Sequence, residues 1–302
     1  MNEDNKYIRF DWAAKRMLRN KANFAVLEGL ITVLLEEPIK IVELLESESN
    51  QESETDKFNR VDIKAKNSKG EIIIVEIQLT RELYYLQRIL YGVSKAITEH
   101  IALGKMYDQV KKVYSINILY FDLGKGSDYL YHGTTHFVGV HTGDQLQVSV
   151  KERNAVHMCT PEDIFPEYFL IRVNQFNEVA RTPLEEWMDY LKNGRISDNT
   201  TAPGLPEARE QLQYMRMGKE ERQAYDRHID NIMVQNDVLG NAREEGLKQG
   251  REEGRAEGRA EGRAEGIASA NRENARKMKA DGMAAELIGK YTGLSAEEIA
   301  TL

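Results

Sequence analysis

Residues 60–79 read RVDIKAKNSKGEIIIVEIQL, two β-prone runs separated by Ser68-Lys69-Gly70. Arg60 to Lys66 and Glu71 to Leu79 alternate or run apolar, and a three-residue connection with glycine in the left-handed position joins such runs into a hairpin. With 68–70 as the loop, Asn67 faces Glu71, and the register carries on to set Asp62 opposite Glu76 and Arg60 opposite Gln78. Period-two alternation sends Val61, Ile63 and Ala65, with their partners Ile77, Val75 and Ile73, to the other face. That face is wholly apolar and is the expected core.

Towards the N-terminus, residues 10–37 read as helix, with Asp11 placed as an N-cap and the run FAVLEGLITVLL (24–35) too long for a typical strand. Residues 36–56 hold eight acids against one lysine, and 47–55 read as a solvated loop. Towards the C-terminus, Leu83, Leu86, Leu90, Val93, Ile97 and Ile101 keep helical spacing within 81–107. The β-branched and aromatic run 113–121 reads as a strand that ends at Gly124-Lys125-Gly126. Residues 129–140 and 145–150 read as further strands, and 162–193 and 206–239 as helices. This order gives an α/β domain over residues 1–240.

Beyond residue 240 glycine recurs at 246, 250, 254, 258, 262 and 266 in the repeat GREEGRAEGRAEGRAEG. In a helix this repeat stacks Arg above Arg and Glu above Glu, so the i,i+4 neighbours carry like charge. Each glycine also costs about 1 kcal/mol relative to alanine. Residues 241–270 are therefore expected to be a mobile linker or a helix propped by another chain. In 271–302, Ser295 and Glu298 form a capping-box pattern, and the reading is two short helices joined by a glycine turn. That unit resembles a helix-turn-helix, but its second helix has two Glu and no Arg or Lys, so a hairpin for self-association reads equally well.

Composition limits the classes of function. The chain has 302 residues and a formal net charge of −8, from 41 Lys+Arg against 49 Asp+Glu, which argues against coating nucleic acid by bulk electrostatics. No apolar run approaches the ~20 residues of a membrane helix, and the start MNEDNKYIRF lacks a secretory apolar core, so no membrane partner and a cytoplasmic location are expected. A single cysteine, Cys159, makes neither an internal disulfide nor a cysteine-rich zinc site.

The chemistry is carried by the hairpin. Two like charges opposed in a sheet are unfavourable, so Asp62 and Glu76 are best tolerated with a cation or proton between them; a solvated pair at a strand edge is the plainer reading. Hard oxygen donors select Mg²⁺ or Mn²⁺, which suits phosphodiester hydrolysis with Gln78 orienting the attacking water. Glu28 is the one charged residue in residues 24–35; burying it alone is costly, so it needs a partner.

Beyond these spacings, Asp62 and the Glu76-Ile77-Gln78 triplet, embedded as RVDI and IIIVEIQ, resemble the PD-(D/E)XK nuclease superfamily. FDWAAKRMLRNKANFAVLEG (10–29), LESESNQ (45–51), YLQRILYGVSK (85–95) and YFDLGKGSDYLYHGTTHF (120–137) resemble the bacterial recombination-promoting nuclease/transposase (Rpn) family. The resemblance covers roughly residues 8–235 and implies a restriction-endonuclease-like core, a mixed sheet flanked by helices, with a helical C-terminal extension. It implies a DNA endonuclease associated with recombination or transposition-like mobility, using Mg²⁺ or Mn²⁺ held by Asp62, Glu76 and the Ile77 backbone carbonyl. Glu28 is a further acidic contributor, with Asp11 ranked below it. Gln78 stands where the superfamily usually has Lys, so Arg60, Lys64 and Arg88 are candidates to supply the missing positive charge.

Between Lys6 and Lys21 six basic residues face one acid, with aromatics interleaved; Lys15, Arg16 and Arg19 are candidate DNA contacts there, against the reading of a solvated helix face. Arg88 and Tyr91, three apart on the following helix, could meet a phosphate or tie the helix to the sheet. His132, His136 and His141 are too far apart along an extended chain to share one ion and read as structural. The alternative function is a catalytically weak or inactive nuclease-fold protein that binds DNA and assembles through its C-terminal repeat and helices as a homo-oligomer.

Overall fold

Ile63–Asn67 (β2) and Ile72–Gln78 (β3) pair antiparallel with Ile63 opposite Val75 and Lys66 opposite Ile72, the register that the Ser68-Lys69-Gly70 loop dictates. Gly70 has φ 82°, the left-handed conformation that closes such a loop without Cβ strain. These coordinates come from a computed structural model that describes residues 7–13, 24–45, 61–100, 107–152, 155–213 and 216–302.

The hairpin lies inside a six-stranded mixed sheet of order β1-β2-β3-β4-β8-β5, with β1 Ile41–Leu44, β4 Val113–Leu119, β5 Leu130–Gly133 and β8 Glu167–Arg172. β3, β4 and β8 run parallel, while β1 and β5 pair antiparallel to their neighbours at the two edges. β6 Val148–Glu152 and β7 Ala155–Cys159 form a separate two-stranded ribbon. The central strands are buried on both faces, as expected where parallel strands are covered on both sides. Every residue of β4 is buried, including Ser115 and Asn117.

Among the described residues four α-helices accompany the sheet: α1 Ala25–Leu35, α2 Tyr85–Glu99, α3 Pro183–Asn193 and α4 Leu205–Gln211. α2 lays Val93 and Ala96 over Ile72, Ile74 and Val113. α1 approaches α4 closely: a Cβ on Gly29 would overlap the Pro203 carbonyl oxygen and the Gly204 backbone, and Gly204 itself has φ 82°. The same Pro203 oxygen accepts from Trp187 Nε1 at 3.0 Å, so α1, α3 and the turn before α4 interlock. Phe10 stands edge-on to Trp187 and Tyr190 of α3, and Tyr190 OH donates to the Ile8 carbonyl at 2.8 Å.

The chain divides into two compact units, residues 1–222 and 223–302. α5 is a single helix, Lys219–Ala280, and it carries the whole glycine repeat. α6 Ala285–Thr292 and α7 Ala296–Thr301 follow, joined through Gly293 at φ 72°, and the Ser295–Glu298 capping box is formed as expected. Ala275, Ile288 and Ile299 make their small core. Among the described residues no helix is long and apolar enough to cross a membrane.

Several expectations are corrected. Residues 162–193 are not one helix: Glu167–Arg172 is a sheet strand, and α3 begins at Pro183 behind a Thr182 capping box. The helix expected over 206–239 breaks after Gln211 and restarts at Lys219. Asp11 is not an N-cap, because it lies inside the helical turn 10–13 whose first carbonyl is that of Arg9. The Asp62–Glu76 face of the hairpin is not an open polar face either: Ile72 and Ile74 are buried on it beneath α2, and Val61 joins them instead of pointing with Ile63. The cause is the bend at Asp62, which ends regular pairing before the strand reaches Val61.

Candidate active site

At the end of the hairpin the β2 strand gives way to the bend one rung beyond Ile63 and Val75, and here the charge of Asp62 lies close enough to act on Glu76. Alternation of the backbone turns the Ile77 N–H and C=O towards β2, since Gln78 O accepts from Tyr120 N of the opposite neighbour at 3.0 Å. The chain of β2 has turned away at that level. Asp62 Oδ2 replaces it, accepting the Ile77 N–H at 2.7 Å. A carboxylate is thereby fixed next to Glu76, on the same strand edge as the Ile77 carbonyl.

Glu76 is a different kind of acid. Its residue is 3% exposed, on a central strand with Asn117 opposite on β4. Burial pushes its carboxyl up to about 7, opposed by the Arg88 guanidinium and reinforced by the charges of Asp62 and Glu82. Arg88 Nη2 stands 3.2 Å from Glu76 Oε2, and Arg88 Nη1 also pairs with Glu82 Oε1. Gln78 Nε2 donates to the same Glu82 oxygen at 2.8 Å and to the Thr80 carbonyl at 3.3 Å. Beneath them Tyr85 OH donates to Asn117 Oδ1 at 3.0 Å, and Asn117 Nδ2 is held by Ser115 and the Phe169 carbonyl. The Tyr85 hydroxyl is raised above its ordinary range, first by burial and then by the charge of Glu76.

The structure therefore gathers Asp62, Glu76, Ile77, Gln78 and Arg88, with Tyr91 half-buried further along α2. It does not gather Glu28. Glu28 Oε1 accepts from Ile41 N at 2.8 Å and Oε2 from Lys40 Nζ at 3.2 Å. Ile41 pairs with Asn67, at the far end of β2 and five residues or about 16 Å from Asp62. The carboxylate found its partners there, so it anchors the start of β1. Lys64 is likewise committed, to Glu99 at 2.8 Å, which leaves Arg88 as the described cation among the three candidates. Asp11 is 5% exposed and accepts from Arg9 Nε at 3.1 Å. Lys15, Arg16, Arg19 and Arg60 lie outside the described residues.

Glu82, Tyr85 and Asn117 were not read from the sequence. Asn117 had a signal: with Ser115 it is one of two small polar residues in the otherwise apolar and aromatic run VYSINIL, and a buried amide in a central strand must be held by something. Glu82 had none, being one acid among the residues that open a helix.

Residues 8–154 match the family model described as the PD-(D/E)XK nuclease family transposase. That segment, 147 of the 302 residues, is similar to that family. No curated protein and no solved structure matches the chain. The match agrees with the resemblance carried by RVDI and IIIVEIQ, and with the mixed sheet it makes the fold restriction-endonuclease-like α/β. For this family domain a nuclease-like function follows, and Asp62, Glu76 and Gln78 fall within the matched segment. Among the described residues no group of three or more His, Cys, Asp or Glu converges as a ready metal cage.

Proposed function

We propose that this protein is an endonuclease that hydrolyses DNA phosphodiester bonds with Mg²⁺ or Mn²⁺, in recombination or transposition-like DNA mobility. The observation that supports it most is the buried Glu76 carboxyl, with the charge of Asp62 close enough to act on it and the Arg88 guanidinium as its ion-pair partner. The donor chemistry fits a hard cation: two carboxylates and the Ile77 carbonyl are all oxygen, and Mg²⁺ commonly takes one or two carboxylates and completes its shell with water and substrate phosphate. The bound ion would polarise the phosphoryl oxygen and acidify a water.

The chain's own residues do the positioning. The Ile77 N–H fixes the Asp62 carboxylate in place. The Gln78 nitrogen is taken by Glu82 and Thr80, so its Oε1 is the atom that accepts a hydrogen bond from the attacking water and orients it. Arg88 supplies the positive charge that Gln78, in place of lysine, does not. DNA is the substrate class, and nicking of supercoiled plasmid with Mg²⁺ is the test. Asp62→Asn and Glu76→Gln should each reduce nicking by a factor of at least about 100, in line with the loss of a group stabilising transition-state charge. Equal nicking by all three proteins would discard the site. A second reading, a nuclease-fold protein that binds DNA without cutting, draws on Gln78; wild type that binds DNA but does not nick it would select that reading.

A further inference from the structure

The guanidinium of Arg88 spans two carboxylates of opposite character. Nη2 reaches Glu76, whose side chain is 4% exposed, and Nη1 reaches Glu82, whose side chain is 37% exposed. The fork is rigid and planar, so the two contacts are made together and fix the position of the group. Gln78 Nε2 adds a third donor to the junction on the Glu82 oxygen that Arg88 also uses. Glu82 belongs to the turn leading into α2 and Arg88 to the first turns of that helix, so both are carried by one local segment, whereas Glu76 belongs to the sheet.

A divalent cation on Glu76 and a guanidinium on Glu76 repel one another at contact distances. We propose that Arg88 is an internal counter-cation of the metal site, held on Glu76 in the metal-free protein and handed over to Glu82 alone when a divalent ion binds. This rests on the metal-dependent reading above and deepens it. The hand-over gives Glu82 a function: it keeps the released guanidinium beside the site, where a phosphate oxygen can take the bond that Glu76 gave up. Glu82 is a positioning residue in this scheme, acting through Arg88 and not on the metal. Arg88 thus restrains metal binding before the ion arrives and neutralises phosphate charge afterwards.

The test is Mn²⁺ titration into the full-length chain without DNA, with free ion followed by its paramagnetic resonance signal. Arg88→Gln should bind Mn²⁺ about tenfold more tightly than wild type, the change expected when one charge-assisted contact no longer competes. Arg88→Lys, which keeps the charge but not the fork, should fall between. Glu82→Gln should weaken binding in the wild-type background and have little effect in the Arg88→Gln background. Unchanged or weaker binding by Arg88→Gln, while Asp62→Asn abolishes binding, would overturn the hand-over and leave the metal site standing; so would equal weakening by Glu82→Gln in both backgrounds. Binding by Asp62→Asn that matches wild type would instead overturn the metal site itself.

Discussion

Asp62 Oδ2 accepts the Ile77 N–H at 2.7 Å, and this bond ties the bend before β2 to the end of β3, beyond the last backbone-paired residues, Ile63 and Val75. The carboxylate has two tasks, to satisfy an amide and to carry charge, and substitution separates them. Asp62→Asn keeps an acceptor and should melt within about 1 kcal/mol of wild type while losing nicking activity. Asp62→Ala removes the amide's partner at an exposed position and should cost about 0.5–1.5 kcal/mol as well. Thermal melts run beside the plasmid assay check both.

Glu76 makes stability depend on pH in a direction opposite to most carboxylates. Its folded-state value of about 7 lies above the ordinary 4.5, so between those values the folded chain holds a proton that the unfolded chain has released. The stabilisation is full below about 4.5 and is lost as pH rises through 7, by about 3 kcal/mol in all. Metal-free wild type should therefore lose stability from pH 5 to 8 relative to Glu76→Gln. Denaturant titrations of the two proteins across that range measure the difference, and millimolar Mn²⁺ should recover much of the loss by favouring the charged carboxylate. Parallel slopes for the two proteins would refute this.

Glu28 serves the fold. Glu28→Ala strips the Ile41 N–H of its acceptor and Lys40 of its partner, and should destabilise the chain by about 1–3 kcal/mol. Mn²⁺ affinity should stay within about twofold of wild type, a small change on the scale on which a factor of ten is 1.4 kcal/mol. A loss of Mn²⁺ binding in a folded Glu28→Ala protein would return this residue to the metal site.

The seam between α1 and the turn before α4 tolerates no side chain. Gly29→Ala places its Cβ against the Pro203 oxygen and the Gly204 backbone, neither of which can swing aside as a long side chain would. A cost of about 3 kcal/mol is expected, in the range of overpacked interiors. Gly70→Ala, strained by its φ of 82° but meeting only flexible lysine side chains at ordinary contact distance, should cost less. Comparing the two midpoints in urea tests the ranking.

The parts legible in the sequence are those fixed by neighbours along the chain. The hairpin register follows from a three-residue loop, and helical spacing within 81–107 reports α2, although Leu86 and Leu90 of that stripe are exposed and the buried face is Tyr85, Ile89, Val93 and Ala96. What stayed hidden depends on distant partners. EYFLIR (167–172) is short and apolar, a pattern that serves a helix or a strand equally, and it becomes β8 because β4 and β5 lie on either side to receive its backbone. Glu28 was rightly read as needing a partner, but the partner is the Ile41 amide thirteen residues on, which spacing does not reveal. The nearness of Asp62 to Glu76 was legible because the register, carried one rung beyond Ile63 and Val75, points there; Glu82 was not, because its importance comes from sharing Arg88.

α5 carries a consequence for how the chain breaks. At 1.5 Å per residue its 62 residues extend about 93 Å, and the six glycines at every fourth position from 246 each weaken the backbone without contributing a packed side chain. Amide protons in this stretch should exchange with deuterium sooner than those of β4, whose seven residues are all buried. A protease of broad specificity should cut here first and release a folded fragment that contains residues 1–222 and ends within the glycine repeat.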